Sequence, residues 1–293
     1  MSAGTNTRAG IMLMIASVFV FAVQDGVSRF LADQYNVYMI IMVRYWFFAL
    51  FVIVIAARQA GGLRAVATTK QPVLQSFRAV LLVAEICVTV IAFVKLGLIA
   101  THAIFAAYPL MIAALSGPVL GERVGPWRWA AIGVGFLGML VILRPGHAVF
   151  APEAMIAVIA AFMFALYGLL TRFAARKDTA ATSFFWTGTV GVVAITAVGV
   201  WFWEPMSGPD WRWMVMLCVT GALGHYLLIK CYEAAEASAV QPFAYLQLVF
   251  VTILAVLFFD ETTDLPTMVG AGIVVSAGLV AAWRERLARL RAV

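Results

Sequence analysis

Apolar residues run along this chain in long blocks, separated by short polar breaks. A helix rises about 1.5 Å per residue, so roughly 20 mostly apolar residues cross the hydrocarbon core of a bilayer. The pattern predicts such spans over residues 10–31, 38–56, 73–93, 98–120 and 127–143. A second set follows over 154–172, 181–203, 211–231, 237–259 and 266–283. No low-complexity linker or soluble domain interrupts them. Residues 1–8 are short and polar, and no small-residue cleavage site follows the first block. The first block therefore reads as a retained helix and not as a signal peptide.

Composition agrees with that pattern. The 293 residues are 64% hydrophobic and 12% charged. A soluble domain is about 45–50% apolar and about 25% charged, so lipid must solvate much of this chain. The net charge of +6 comes from cations placed mostly in the breaks and at the C-terminus, which points to a membrane surface and away from nucleic acid. Cys87, Cys218 and Cys231 all lie in apolar blocks without CxxC spacing, so neither a disulfide framework nor a metal site is expected.

The cations also set an orientation. With the N-terminus in the cytoplasm, Arg8, Arg58, Arg64, Lys70, Arg123, Arg128, Arg176, Lys177 and Arg284, Arg286, Arg289 and Arg291 all fall on the cytoplasmic side. Acidic Asp33, Glu153, Glu204, Asp210, Asp260, Glu261 and Asp264 fall mostly outside, with Trp201, Trp203, Trp211 and Trp213 flanking one outer loop. Both termini are thus expected inside, with an even number of spans, in a bacterial inner membrane. The arginines after Trp283 are expected on anionic headgroups.

The second half looks like a copy of the first. Phe21-Ala22 through Ser28-Arg29 parallels Phe164-Ala165 through Thr171-Arg172, Leu120-Gly121-Glu122-Arg123 parallels Phe259-Asp260-Glu261-Thr262, and Gly133 matches Gly272. Five spans per copy is odd, so the copies would cross the bilayer in opposite directions. The expected fold is an all-α integral membrane protein of ten transmembrane helices, arranged as two inverted five-helix repeats over 1–147 and 148–293. Inverted repeats suit alternating access, with a small-molecule site at the midplane between halves.

Several pieces carry a family likeness: Tyr108-Pro109 followed by Gly121-Glu122, the glycines Gly133, Gly135 and Gly138, and the closing Arg144-Pro145. With them the chain resembles the EamA-like ten-helix branch of the drug/metabolite transporter superfamily over nearly its whole length. Leu248 stands where that family usually carries a proline before Glu261, and Pro242 lies earlier. The resemblance implies export of amino acids or related metabolites. Uptake of a vitamin-like or other neutral metabolite is the alternative within the class. A scarcity of Arg and Lys at midplane depth in the second half disfavours a phosphorylated substrate, which would want a cationic clamp.

Polar residues inside the spans are the candidate pathway, because an ionisable group at bilayer depth faces a partner or a passage. Asp25 and Arg29 share one face of the first span with Gln24 and Ser28, and a pair of Asp25 with Arg29 or Arg44 is expected. Glu85 sits near the midplane, with Arg78 as its candidate partner; His225 holds nearly the repeat-equivalent place. Either group could carry a coupling proton or simply bond to a neighbouring helix. His102, Phe105 and Pro109 form a stripe beside Tyr108; Gln241, Tyr245 and Thr252 form another; Tyr167 and Thr171 form a third. These stripes either line a central cavity or glue helices together.

Other classes find less support. HExxH, GxSxG and paired aspartates are missing, so no enzyme is expected. The G-x-G-x-x-G spacing of Gly133, Gly135 and Gly138 lies mid-span without a βαβ unit, so it reads as a packing seam, internal or dimeric, and no cofactor is expected. Lys230, Glu233 and Glu236 read as an interfacial charge cluster. A channel stays open as a different class. Monomer and homodimer are both compatible with the sequence.

Overall fold

The computed structural model describes residues 7–59, 61–120, 126–143, 152–234, 240 and 243–291. Among them every regular element is helical. The helices are α1 (Thr7–Ala32), α2 (Val37–Ala57), α3 (Gly62–Ala67), α4 (Pro72–Leu96), α5 (Leu98–Phe105) and α6 (Tyr108–Leu120). Then come α7 (Pro126–Leu143), α8 (Pro152–Ala174), α9 (Ala180–Gly199), α10 (Trp211–Ala234), α11 (Leu246–Phe259) and α12 (Leu265–Arg291), with a 3₁₀ turn over Val200–Phe202 after α9. Six helical stretches among the described residues are long and apolar enough to cross a membrane. Shorter apolar helices fill the stretches Trp129–Leu143, Leu246–Phe259 and Leu265–Ala281. The short helix α3 was not expected from the sequence.

Local chemistry sets the helix ends. Asn36 Oδ1 accepts from Tyr38 N at 2.9 Å and Thr179 Oγ1 from Thr182 N at 3.1 Å, so both cap helix N-termini. Asp264 Oδ1 does the same for Thr267 N at 3.0 Å. Pro72 opens α4, where its missing N–H has no partner to lose.

Two of the predicted spans are broken. The fourth splits into α5 and α6 at Ala106–Ala107, just before Tyr108-Pro109. Pro109 has no N–H to give Phe105 O, four residues back, so a continuous helix would lack that bond; in the first turn of α6 the missing N–H needs no partner. The ninth has a turn at Tyr245, where Leu248 N bonds Tyr245 O at 3.2 Å. It bends there with no proline at Leu248.

The halves pack on each other. The most extensive helix contacts are α1 with α10, α7 with α12, α4 with α8 and α2 with α9, each joining the first half to the second. Small residues permit the approach. A side chain at Gly138 would meet Gly270 O at 2.9 Å, and one at Gly270 would meet Gly138 O at 2.6 Å, so α7 and α12 touch backbone to backbone. The glycine seam is internal here, whereas Gly133 and Gly272 face open space. Large apolar side chains such as Leu137, Phe136, Val193, Leu257, Phe258 and Met268 stay exposed around the bundle. Lipid would cover such a surface; water would not.

The two ends differ. One end carries Trp201, Trp203, Trp211 and the acidic loops; there Tyr35 Oη and Ser207 Oγ both donate to Asp210 Oδ2 at 2.6 Å, tying two loops of opposite halves together. The other end carries Arg58, Arg64, Lys70, Arg176 and Lys177. There Asp178 accepts from Thr69 Oγ1, from Lys70 N at 3.0 Å and from Gln75 Nε2 at 2.9 Å. Desolvation pushes the Asp178 carboxyl up, but these hydrogen bonds, with one from Gln71, outweigh it and hold the group below the usual carboxylate range. Asp210 is likewise held low, first by Ser207 and then by Tyr35.

Candidate functional site

A cavity of about 330 Å³ opens between the halves. Its size lies in the range of pockets that take one small ligand. Six of its walls are aromatic: Phe21, Phe93, Phe105, Tyr108, Phe164 and Tyr167. Phe164 is the hub, with Tyr108 edge-on at 4.9 Å and Phe105 at 5.2 Å.

The polar walls are few. Asp25 on α1 accepts from Gln24 Nε2 at 3.3 Å and from Gln247 Nε2 at 3.1 Å, and its Oδ2 lies 3.1 Å from His102 Nε2. Arg44 on α2 donates to Gln24 Oε1 at 3.2 Å. Gly221 gives that guanidinium room, because a side chain there would stand 3.1 Å from Arg44 Nε. Glu85 on α4 is buried and accepts from Thr89 Oγ1 at 2.6 Å. His225 on α10 donates from Nδ1 to Gly221 O at 2.8 Å and sets its ring edge against Phe21.

Seven of the ten residues singled out in the sequence line this cavity: Gln24, Asp25, Glu85, His102, Tyr108, Tyr167 and His225. Tyr245 lines a smaller cavity beside it, with His102, Phe105 and Pro109, and packs against Gly278. Thr252 turns back to its own helix, donating to Leu248 O at 2.7 Å. Gln241 lies outside the described residues, as do Glu122, Arg144, Pro145, Pro242 and Glu236.

The expected ion pairs rearrange. Asp25 pairs with neither Arg29 nor Arg44; its partner is His102, brought in by the short helix α5. Arg29 instead pairs with Glu261 and lies 4.4 Å over the Phe259 ring. Arg78 does not reach Glu85. It donates to Thr171 Oγ1 at 2.8 Å, to Gln75 and to Tyr167 Oη at 3.4 Å. Both corrections have one cause: arginine reaches several residues along its helix, so a spacing of four or seven residues does not fix which neighbour it meets.

Gln247 was missed. It sits two residues past the turn at Tyr245, and a regular helix through 237–259 gives no reason to turn it toward Asp25. Among the described residues no group of His, Cys, Asp and Glu is arranged to hold a metal ion.

At the Trp-rich end, Glu261 closes the fold over α5. Its carboxylate accepts from Leu98 N at 2.8 Å and Ile99 N at 3.0 Å while pairing with Arg29. It thus meets the unsatisfied N–H groups and positive dipole end of α5. Gly97 must be glycine for this: its φ is +92°, and a side chain would lie 2.9 Å from Glu261 Oε1.

Comparison with known proteins adds the relationship. The model of the EamA-like transporter family matches residues 8–144 and again 151–283. A protein named S-adenosylmethionine uptake transporter, from Rickettsia prowazekii, is 24% identical over 277 residues, covering 94% of this chain and 93% of that protein. Its namesake from Rickettsia felis is 31% identical over 183 residues, a stretch that spans 62% of this chain and 62% of that protein. A riboflavin transporter of Vibrio cholerae is 25% identical, covering 96% of this chain and 95% of that protein. A solved crystal structure shares the fold with a TM-score of 0.64 at 18% identity, covering 94% of this chain.

Proposed function

Because this chain belongs to the EamA-like transporter family, we propose that it is an uptake carrier for a cofactor-sized metabolite that joins a flat heteroaromatic ring to a cation, of the S-adenosylmethionine type. The transporter is a multi-pass membrane protein. The observation that carries the substrate reading is the cavity itself, with aromatic walls around two carboxylates and one guanidinium. Phe105, Tyr108, Phe164 and Tyr167 would clasp a purine face. Asp25 and Glu85 would face a sulfonium or ammonium group, with cation–π attraction from the rings. Arg44 would take a carboxylate.

The relative named for S-adenosylmethionine uptake favours uptake over amino-acid export, and the one named for riboflavin favours a cofactor-sized substrate. A flavin would use the same aromatic walls but would bring no cation to Asp25 and Glu85. That makes it the second reading.

Alternating access between ten spans, as inverted halves over 1–147 and 148–293, is the mechanism we favour. The helix pairing supports it. Exchanging the halves turns the first-span/eighth-span pair (α1 with α10) into the sixth-span/third-span pair (α8 with α4). It leaves α2 with α9 and α7 with α12 unchanged. We place both termini in the cytoplasm, in a bacterial inner membrane.

Counterflow in proteoliposomes tests the substrate. Labelled S-adenosylmethionine, riboflavin and a panel of amino acids are offered to vesicles loaded with the unlabelled compound. Saturable S-adenosylmethionine counterflow, competed by other adenosyl sulfonium compounds, is expected. Exchange of riboflavin alone would install the second reading, and exchange of amino acids alone would restore the export reading.

A further inference from the structure

We propose that Asp25 and His102 form a proton-holding pair, and that a cationic substrate entering the cavity displaces its proton. His102 Nδ1 lies 3.0 Å from Leu98 O, and a carbonyl oxygen only accepts, so Nδ1 carries a hydrogen. The other nitrogen, Nε2, lies 3.1 Å from Asp25 Oδ2. A bare imidazole lone pair facing a bare carboxylate oxygen would be repulsive at that separation in a buried site. One further proton therefore lies between them. Either imidazolium faces carboxylate or imidazole faces carboxylic acid. Both descriptions hold the same single proton, and both leave the pair with no net charge.

The surroundings hold this arrangement in place. His102 stacks on Phe93, with ring centroids 5.1 Å apart and planes 6° from parallel, which fixes the ring. Facing the pair across the cavity are Gln24 on α1, Arg44 on α2, Glu85 on α4, Tyr108 on α6, His225 on α10 and Gln247 on α11. Gln24 and Gln247 both donate to Asp25. Arg44 reaches Gln24, so its charge acts on the carboxylate through the amide. Together with Gln247 the pair links three helices: Asp25 is on α1, His102 on α5 and Gln247 on α11.

The displacement step rests on the cationic-substrate reading and balances simply. The cation takes the place of the proton as counter-charge to Asp25. The Nε2–H bond breaks, its electron pair stays on the imidazole, and the proton leaves to water. Inward movement of the cation is then exchange for a proton, whereas a neutral substrate leaves the proton where it is.

Two measurements test this. First, purified wild-type protein, Asp25→Asn and His102→Gln, each shown folded by gel filtration and thermal melting, are titrated without ligand from about pH 11 to about pH 5, a range that includes protonation of a lone histidine. His102→Gln is expected to take up one proton fewer than wild type, and Asp25→Asn, whose histidine has lost its carboxylate, is expected to take up that proton at lower pH than wild type. Unchanged uptake in His102→Gln, or the same curve in Asp25→Asn as in wild type, overturns the pair. If Asp25→Asn does not fold, Asp25→Ser takes its place. Second, S-adenosylmethionine is added to wild-type protein in weak buffer with a pH dye. Release of close to one proton per bound ligand is expected, and binding without release overturns the displacement. Absence of binding, with the extra proton still counted, overturns the cationic-substrate reading and the displacement that rests on it, while the pair stands.

Discussion

At the residue scale the informative groups are the few polar side chains that a lipid-soluble bundle keeps inside. Glu85 is 3% exposed and has Thr89 as its hydrogen-bonding partner. Glu85→Gln keeps the acceptor and the volume but removes the charge. Transport of a cation by this variant is expected to fall by about tenfold or more, the effect of about 1.4 kcal/mol of lost binding. Thermal melting should move by only a few degrees, and wild-type counterflow rates would deny Glu85 a direct role. Much of this site was legible beforehand. An ionisable residue in an apolar block declares itself, and Asp25, Glu85, His102 and His225 were found that way. Their partners were not. Arg29 and Arg78 lie at helical spacings that suggest Asp25 and Glu85, yet they turn to Glu261 and Thr171. Spacing along a helix gives a face; which neighbouring helix lies across from that face depends on packing.

At the element scale the breaks matter more than the spans. Apolar blocks predicted where helices run and the break at Gly97, but smoothed over the gaps at Ala106 and Tyr245. The break at Gly97 gives α5 its N-terminus, and the turn at Tyr245 sets Gln247 on the cavity wall. Gly97→Ala should be costly on two counts. A backbone at φ +92° is close to a glycine-only region, and the new methyl would press on Glu261. A loss of about 1–3 kcal/mol is expected, read as a lower melting temperature.

The loops at the arginine-rich end make a pH prediction. The Asp178 carboxyl is held low when folded, so its stabilising bonds are complete above the ordinary carboxylate range. They are lost as pH falls through its lowered value. Asp178→Asn should therefore lower melting temperature at neutral pH and make no difference in strong acid. A constant difference at all pH values would show that the carboxylate charge plays no part.

At the scale of the whole molecule, the two halves meet along paired helices and are fastened differently at each end. At the Trp-rich end Glu261 joins Arg29 and the start of α5 in one contact. Breaking charge-assisted bonds of this kind removes about 1.5–3 kcal/mol. An equilibrium between closed and open forms would shift by about tenfold or more. Glu261→Gln is expected to raise labelling, by a membrane-impermeant thiol reagent, of a cysteine introduced at Phe93 on the cavity wall. Unchanged labelling would make the contact a brace with no part in gating.

The backbone contact between Gly138 and Gly270 has a consequence of another kind. Where the two glycines meet, flanked by Ile142 and Ile273, α7 and α12 have little room to slide. In a carrier that moves, such a pair would act as a stator for the remaining helices. A rigid marker fused there, for imaging or for a binding protein, would report the frame of the machine and leave its stroke alone.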